Sequence, residues 1–288
     1  MFIFLTCIRH PNSSKNYTHI EALFEHTARS VCAQLEGDFR LIVVCNKKPD
    51  IEFNDPRIIY LEVDFIIPSS RSDVLYDRGI KRLVGLLYAK NNYPVDYYMM
   101  LDADDLVSNT LVLDIVAAEE SKGGWWLEKG YLYDFNNHRI QRKAGMNNYC
   151  GSTLIFKSEA LYKLSNIDFT QYSFMDTYEK LKSAGSGEFI CEILGHHVIA
   201  KEYFKNKNYE LAPFGKLSVA WVINNGENES RTVGKLSGLN LNKSWCNEFS
   251  VPSYANEKNS LNDIFYEYIL YVKSIISSFS KNQRKSHS

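Results

Sequence analysis

The stretch DYYMMLDADDLVSNT, residues 96–110, sets three aspartates directly after a run of aromatic and apolar residues. That run reads as a buried strand, so Asp102, Asp104 and Asp105 stand where the strand emerges. Carboxylates this close repel one another and are costly to desolvate, which calls for a counter-charge or for solvent. Hard divalent cations favour oxygen donors, and Mg2+ or Mn2+ commonly takes one or two carboxylates together with substrate phosphates. Asp102 and Asp104, two apart as the chain begins to turn, suit such an ion, which would neutralise a diphosphate leaving group. The plainer reading is that one aspartate caps a helix starting near Asn109, where Ser108 is another cap candidate, while the others are solvated.

Around this stretch the first half alternates strand and helix. FIFLTCI near the start, FRLIVVCN (39–46) and RIIYLEVD (57–64) read as buried strands. Residues 17–36 keep a helical period through Ile20, Leu23, Phe24, Val31 and Leu35, and residues 73–91 through Ile80, Leu83, Val84 and Leu87. Strands this continuously apolar, alternating with helices, predict an α/β fold with a mostly parallel sheet flanked by helices. Ligands of such sheets sit beyond the carboxyl ends of the strands. One rim would then carry Thr6 to His10, Cys45 to Lys48 and Asp102 to Asp105.

The pattern changes after residue 122. GGWWLEKGYLYDFNNHRIQR reads as two strands joined by a turn at Asn136 and Asn137, and CGSTLIFKSEAL as a strand running into a helix near Ser158. Residues 187–195 read as helix, VAWVI (219–223) as strand and NNGENES as loop. The expected layout is a main domain over 1–232, with a nucleotide-binding half (1–121) and an acceptor half (122–232). A linker-like polar segment (233–260) and an amphipathic helix with a basic tail (261–288) follow.

Composition narrows the function. A chain of 288 residues, 45% apolar, holds one large core or a main domain with an appendage. A net charge of −1, with no strongly basic stretch except a short tail, argues against nucleic-acid binding. The six cysteines form no CxxC pair and no zinc spacing, which suits a reduced, cytoplasmic protein. MFIFLTCI is too short for a signal segment, and no run of about 18 apolar residues predicts a spanning helix.

MMLDADDLVS resembles the D-x-D strand exit of nucleotide-sugar-dependent glycosyltransferases of the GT-A fold, and YDRGIKRLVGLLYA (76–89) resembles the arginine-bearing segment before it in family-2-like members. GWWLEKGYLYDF, CGSTLIFKSEAL, LGHHVIAKEYF and NNGENES are similar to a bacterial group of that kind, so the resemblance covers about residues 1–232. It implies a GT-A type fold and transfer of a sugar from a nucleoside-diphosphate donor to a glycan or lipid-linked acceptor, aided by Mn2+ or Mg2+. Asp104 would be the main metal ligand, Asp102 would contact the ribose or the metal, and Asp105 would support them or start the helix. Thr6 and Arg9 would lie near the base and ribose, and Asn46 beside the base. Arg78 and Lys81 would approach the base or phosphates, unless they belong to an ordinary solvated helix face.

A further metal ligand in this family comes from a C-terminal loop, for which His197 and Glu229 compete here, with His197 preferred. Glu188, opening the helix after SAGSG, is the candidate base for an inverting transfer or else a surface residue at a helix start. Gly151 and Ser152, with Thr153, resemble the small-residue strand start against which a donor sugar packs. Trp125 and Trp126 would stack an acceptor ring or pack the second layer. Two alternatives stand beside this reading: a phosphatase of the haloacid dehalogenase type, whose apolar strand also ends in D-x-D, and an inactive nucleotide-sugar-binding relative. A nucleotidyltransferase would need an N-terminal Gly-rich loop, which TCIRHPNSSKN lacks.

In residues 261–285, Leu261, Phe265, Tyr268, Val272, Ile275 and Phe279 recur at three- and four-residue steps, ahead of Lys281, Arg284 and Lys285. Such a helix suits peripheral contact with an anionic membrane at its cytoplasmic face, or docking on its own domain or a second subunit.

Overall fold

The computed structural model of the chain describes residues 1–227, 236–252 and 259–285. Strand β1 (Phe2–Cys7) leads into helix α1 (Tyr17–Cys32), whose first turn is capped by the Asn16 side chain accepting from the His19 amide. There follow β2 (Phe39–Cys45), β3 (Ile58–Glu62), α2 (Arg71–Asn92), β4 (Tyr97–Asp102), β5 (Leu106–Val107) and α3 (Leu111–Val116). The chain continues through β6 (Gly124–Asp134), β7 (Arg139–Ala144), β8 (Leu154–Lys157), α4 (Ser158–Ser165) and α5 (Tyr178–Lys182). A π-helical segment, Phe189–Leu194, precedes α6 (Ala200–Asn206), β9 (Leu211–Ile223), β10 (Leu239–Asn240), α7 (Lys243–Phe249) and α8 (Leu261–Lys285).

β3, β2, β1 and β4 are parallel neighbours, and β8 joins β4 antiparallel. β6 then takes β8 along Gly124–Trp126 and β7 along Lys129–Asp134, while β9 runs parallel to it from Gly124 to Asp134. Among the described residues seven of the ten strands run in one direction, so the expected α/β class with a mostly parallel sheet under helices holds. One sheet passes through both halves of the predicted main domain.

Alternate residues of the central strands feed two cores. Phe2, Phe4, Met99 and Leu101 meet α1 and α3, whereas Ile3, Leu5, Tyr98 and Met100 meet α2, α4 and the π-helical segment. Both faces are covered, which is why these strands read as unbroken apolar runs. Among the described residues no helix is long and apolar enough to cross a membrane.

Several boundaries differ from expectation for local reasons. α1 stops at Cys32, and Leu35, assigned to its apolar stripe, is 64% exposed. α2 starts two residues early because Ser70 and Asp73 form a capping box: the Asp73 amide donates to Ser70 Oγ at 3.1 Å and the Ser70 amide to Asp73 Oδ2 at 3.0 Å. α3 starts at Leu111, two residues later than expected, where Gln34 accepts from the Val112 amide at 2.9 Å while Ser108 Oγ accepts from the Thr110 amide at 3.4 Å. The linker-like segment is corrected most. Within it α7 buries Trp245, Cys246 and Phe249 against Tyr133 and Val222, a third core. Each large side chain there contributes about 2 kcal/mol by leaving water. Its polar neighbours hid a single apolar face of two turns.

Candidate active site

The register of β1 against β4 sets Cys7 beside Asp102, so the residues after β1 and the aspartates after β4 share one rim. A cleft of about 730 Å3 opens there, a size typical of small-molecule sites. Arg9, Arg78, Asp102, Asp104, Gly151 and His197 all line it, together with Lys15, Asp77, Tyr149 and Trp221. The resemblance to D-x-D enzymes grouped the first six of these, and the fold brings those six together.

The three aspartates have three environments. Asp102 accepts from Arg82 Nη2 at 2.9 Å, and its amide donates to Ser152 Oγ at 2.9 Å. Burial alone would raise its carboxyl, but the charges of Arg78 and Arg82 outweigh that and hold it below the usual range. Asp104 accepts from Asn225 Nδ2 at 2.8 Å. Burial and the neighbouring Asp102 charge push its carboxyl up to about 6. Asp105 is buried and accepts from Ser152 Oγ at 2.5 Å and from the Val222 amide at 3.0 Å. Burial first, then the charges of Asp104 and Asp102, push Asp105 well up. It ties the β4 exit to β9 and to the turn before β8.

The arginine segment works through the π-helical segment. Arg82 Nη1 donates to Leu194 O at 2.7 Å, and Arg78 Nη1 to Gly195 O at 3.4 Å. Gly79 faces the same segment: a Cβ there would stand 2.0 Å from Ile190 O. Gly79 therefore serves the close packing of α2 on the π-helical segment. The segment's last carbonyls are left free by its i→i+5 bonding, as in Gly195 N to Ile190 O at 2.8 Å, and two arginines take them.

Several expected site residues lie elsewhere. Lys81 is wholly buried, bonded to Asp77 Oδ2 at 2.8 Å and to Ile8 O at 3.0 Å, so it fixes the β1 exit rather than meeting a ligand. Thr6 is also fully buried and donates to Leu101 O at 3.0 Å, which stitches β1 to β4. Asn46 donates to Phe65 O at 3.0 Å and is not part of the cleft wall. Ser152 is buried beneath the aspartates, where it orients them and touches no ligand space. Trp125 and Trp126 are 4% and 6% exposed: Trp125 packs on Tyr97, and Lys201 sits over the Trp126 ring. Neither is available to an acceptor. Glu188 is exposed at the start of the π-helical segment and lies off the cleft wall. Glu229 lies outside the described residues.

Other cleft residues were not anticipated. Tyr149 and Trp221 stack at 6.3 Å with 22° between their planes, and both line the cleft. The tryptophan of VAWVI was visible as a strand residue, but nothing local revealed which face it would take. The loop after β9 is pinned to the β1 exit: Arg9 Nη2 donates to Glu227 O at 2.8 Å, the Asn16 amide to Glu227 Oε1 at 3.1 Å, and His19 Nε2 meets Asn225 O at 2.6 Å. NNGENES thus reaches the acidic rim through Asn225.

Asp102 and Asp104 give the cleft two hard oxygen donors, which fits a Mg2+ or Mn2+ ion completed by substrate phosphates. Burial pushes His197 down to about 4, so its ring is neutral at pH 7, and among the described residues its Nε2 has no hydrogen-bond partner. Among the described residues, however, no three His, Cys, Asp or Glu side chains converge as a metal-binding group. Asp102, Asp104 and His197 are therefore not a preassembled trio.

No protein-family model matches the chain, and no curated protein matches it in sequence. Among solved structures it is similar to the 2-C-methyl-D-erythritol 4-phosphate cytidylyltransferase of Francisella tularensis, at 10% identity over 75% of this chain and 90% of that one, TM-score 0.37. It is similar also to the bifunctional IspDF of Campylobacter jejuni (10% identity, 64% and 48% of the two chains, TM-score 0.32). A third is the inositol-1-phosphate CTP transferase of T. maritima (12% identity, 87% and 94%, TM-score 0.38). Likeness at this level says nothing about substrate.

Proposed function

We propose that the chain is a glycosyltransferase that takes a sugar from a nucleoside-diphosphate donor and passes it to a glycan or lipid-linked acceptor. The observation that carries this reading is one cleft whose floor holds Asp102 and Asp104 and whose walls hold Arg9 and Arg78. A diphosphate needs both: carboxylates to share a cation with it and guanidinium groups to bind it directly. Bound Mg2+ or Mn2+, held by Asp102 and Asp104, would supply the positive charge that stabilises the departing diphosphate. Arg82 keeps Asp102 ionised and aimed, and Asn225 does the same for Asp104. Gly151 leaves the Asp102 carboxylate room, since a Cβ there would lie 2.7 Å from Oδ2. Tyr149 and Trp221 offer the aromatic face on which an acceptor ring stacks.

The phosphatase alternative asks Asp102 to attack as a free nucleophile, a role that its bond to Arg82 opposes. Calorimetric titration with UDP, GDP and dTDP, each with and without Mn2+, tests the reading. Metal-dependent binding of one of them, lost in Asp104→Ala, is expected. No metal-dependent binding, or pyrophosphate release from a nucleoside triphosphate, would sink it.

A further inference from the structure

Helix α8 docks the wrong way round for a soluble amphipathic helix. Its inward residues are Glu267, Ser274 and Ser278, all buried, with Tyr271 between them. They answer the open edge of β7 beyond the point where β10 pairs: the Arg142 amide donates to Glu267 Oε1 at 3.0 Å and the Ala144 amide to Ser274 Oγ at 3.1 Å. Arg142 Nη2 adds an ion pair to Glu267 at 2.6 Å. The polar face is therefore the one the sheet needs, because it satisfies edge donors that would otherwise invite another strand.

That need leaves the apolar stripe unexplained. It stands about 130° round the helix from the docked line. Leu261 is 85% exposed, Phe265 66%, Tyr268 55% and Ile276 64%. An edge-capping helix requires no large apolar groups on its outer side, and a contiguous stripe of them marks a contact surface. Charge selects the partner. Residues 268–288 contain Lys273, Lys281, Arg284 and Lys285 and no acidic residue, so the stripe continues into a segment of one sign. Apolar side chains on one face and basic residues beyond are complementary to an anionic lipid surface, where the stripe enters the headgroup boundary and the cations meet phosphate.

We infer that α8 is a membrane-surface anchor, lying on anionic lipid through the Leu261–Phe265–Tyr268–Ile276 stripe while its opposite side stays on β7. Its docked side also meets Gly145, where a Cβ would lie 3.1 Å from Ser278 Cβ, just ahead of Tyr149 on the cleft rim. The docked side of α8 thus adjoins the cleft rim. The inference concerns location and is independent of the reaction proposed above.

The test is co-sedimentation of the full chain with vesicles of phosphatidylcholine alone and of phosphatidylcholine mixed with phosphatidylglycerol. Binding at least tenfold stronger to the anionic vesicles is expected, weakening with salt. The double variant Phe265→Glu/Ile276→Glu should lose at least tenfold of it with an unchanged melting temperature, since both side chains face solvent. Lys273→Glu should reduce the preference for anionic over neutral vesicles. Failure to bind anionic vesicles, or equal binding by the double variant, overturns the inference. So does a concentration-dependent dimer in sedimentation analysis that the double variant dissolves while vesicles bind neither form.

Discussion

Arg82 and Asp102 form the hinge between the arginine helix and the acidic rim: Nη2 meets Oδ1 at 2.9 Å while Nη1 of the same guanidinium holds Leu194 O at 2.7 Å. One planar fork thus fixes a carboxylate and a helix end at once, which a lysine's single ammonium cannot do. Arg82→Leu should cost about 2–3 kcal/mol of stability at pH 7, the scale of a charge-assisted hydrogen bond lost from a buried site. Arg82→Lys should recover part of it. The Asp102 carboxyl is held below its unfolded value, so its contribution is present above pH ~4 and is lost as pH falls through the folded value. Denaturant melts at pH 7 and at a pH well below ~4 check this: the gap between wild type and Arg82→Leu should narrow only in that more acid range.

Asp104 behaves oppositely. Its carboxyl rises to about 6, so between the unfolded value near ~4 and that point the folded chain binds more protons than the unfolded one. Stability conferred by this group is therefore present below the unfolded value and lost as pH rises through about 6. Asp104→Asn should raise the melting temperature of the ligand-free protein at pH 7, by about 3 °C. It should also flatten the melting profile between pH 4 and 6. The same variant should lose metal-dependent nucleotide binding. Gain of stability with loss of binding would mark Asp104 as a strained ligand, whereas loss of both would make it merely structural.

The parallel half of the fold was legible because β1, β2 and β4 are covered on both faces and so carry unambiguous apolar runs, with β3 at their edge only partly buried. The rim positions of Arg9, Asp102 and Asp104 were legible for a related reason, because a strand's end fixes where its next residues must stand, whereas Arg78, inside α2, and Gly151, ahead of β8, were expected only from the resemblance. What failed depended on partners distant in sequence. Lys81 reads as a solvated cation until Asp77 and Ile8 O close over it. Ser152 reads as ligand-facing until its hydroxyl closes onto Asp105. Trp125 and Trp126 were ambiguous because β6 is buried on both sides by elements as far away as β9. Of the apolar residues read on α8, Leu261, Phe265 and Tyr268 are exposed, and periodicity could not reveal that the β7 edge beyond β10 would draw in the polar side instead.

The aromatic pair at the cleft gives a contrast with the tryptophans first suspected. Tyr149→Ala or Trp221→Ala should raise the acceptor KM about tenfold with little change in donor affinity, the cost of one stacking surface. Trp125→Ala should instead cost about 3–5 kcal/mol of stability, as a large buried side chain leaves a cavity. Glu188→Gln should leave kcat within about twofold, an exposed carboxylate off the cleft being no partner to the chemistry. Steady-state kinetics over both substrates, alongside thermal melts, separates the three cases.

Gly151 supplies the sharpest steric test. Adding one methyl places a Cβ 2.7 Å from Asp102 Oδ2 and 3.4 Å from its Cγ. The carboxylate cannot retreat freely, because Arg82 holds its other oxygen and Ser152 holds its amide. The methyl must therefore push Asp102 off its line, the kind of small misplacement that costs about 100-fold in rate. Gly151→Ala should lower kcat/KM by that order while the fold survives, since the rim is open on the cleft side. Nucleoside-diphosphate affinity measured in Mn2+ should fall with it, and affinity measured without metal should not. Equal loss in both conditions would mean that the methyl blocks the nucleotide itself rather than displacing the ligand to its cation.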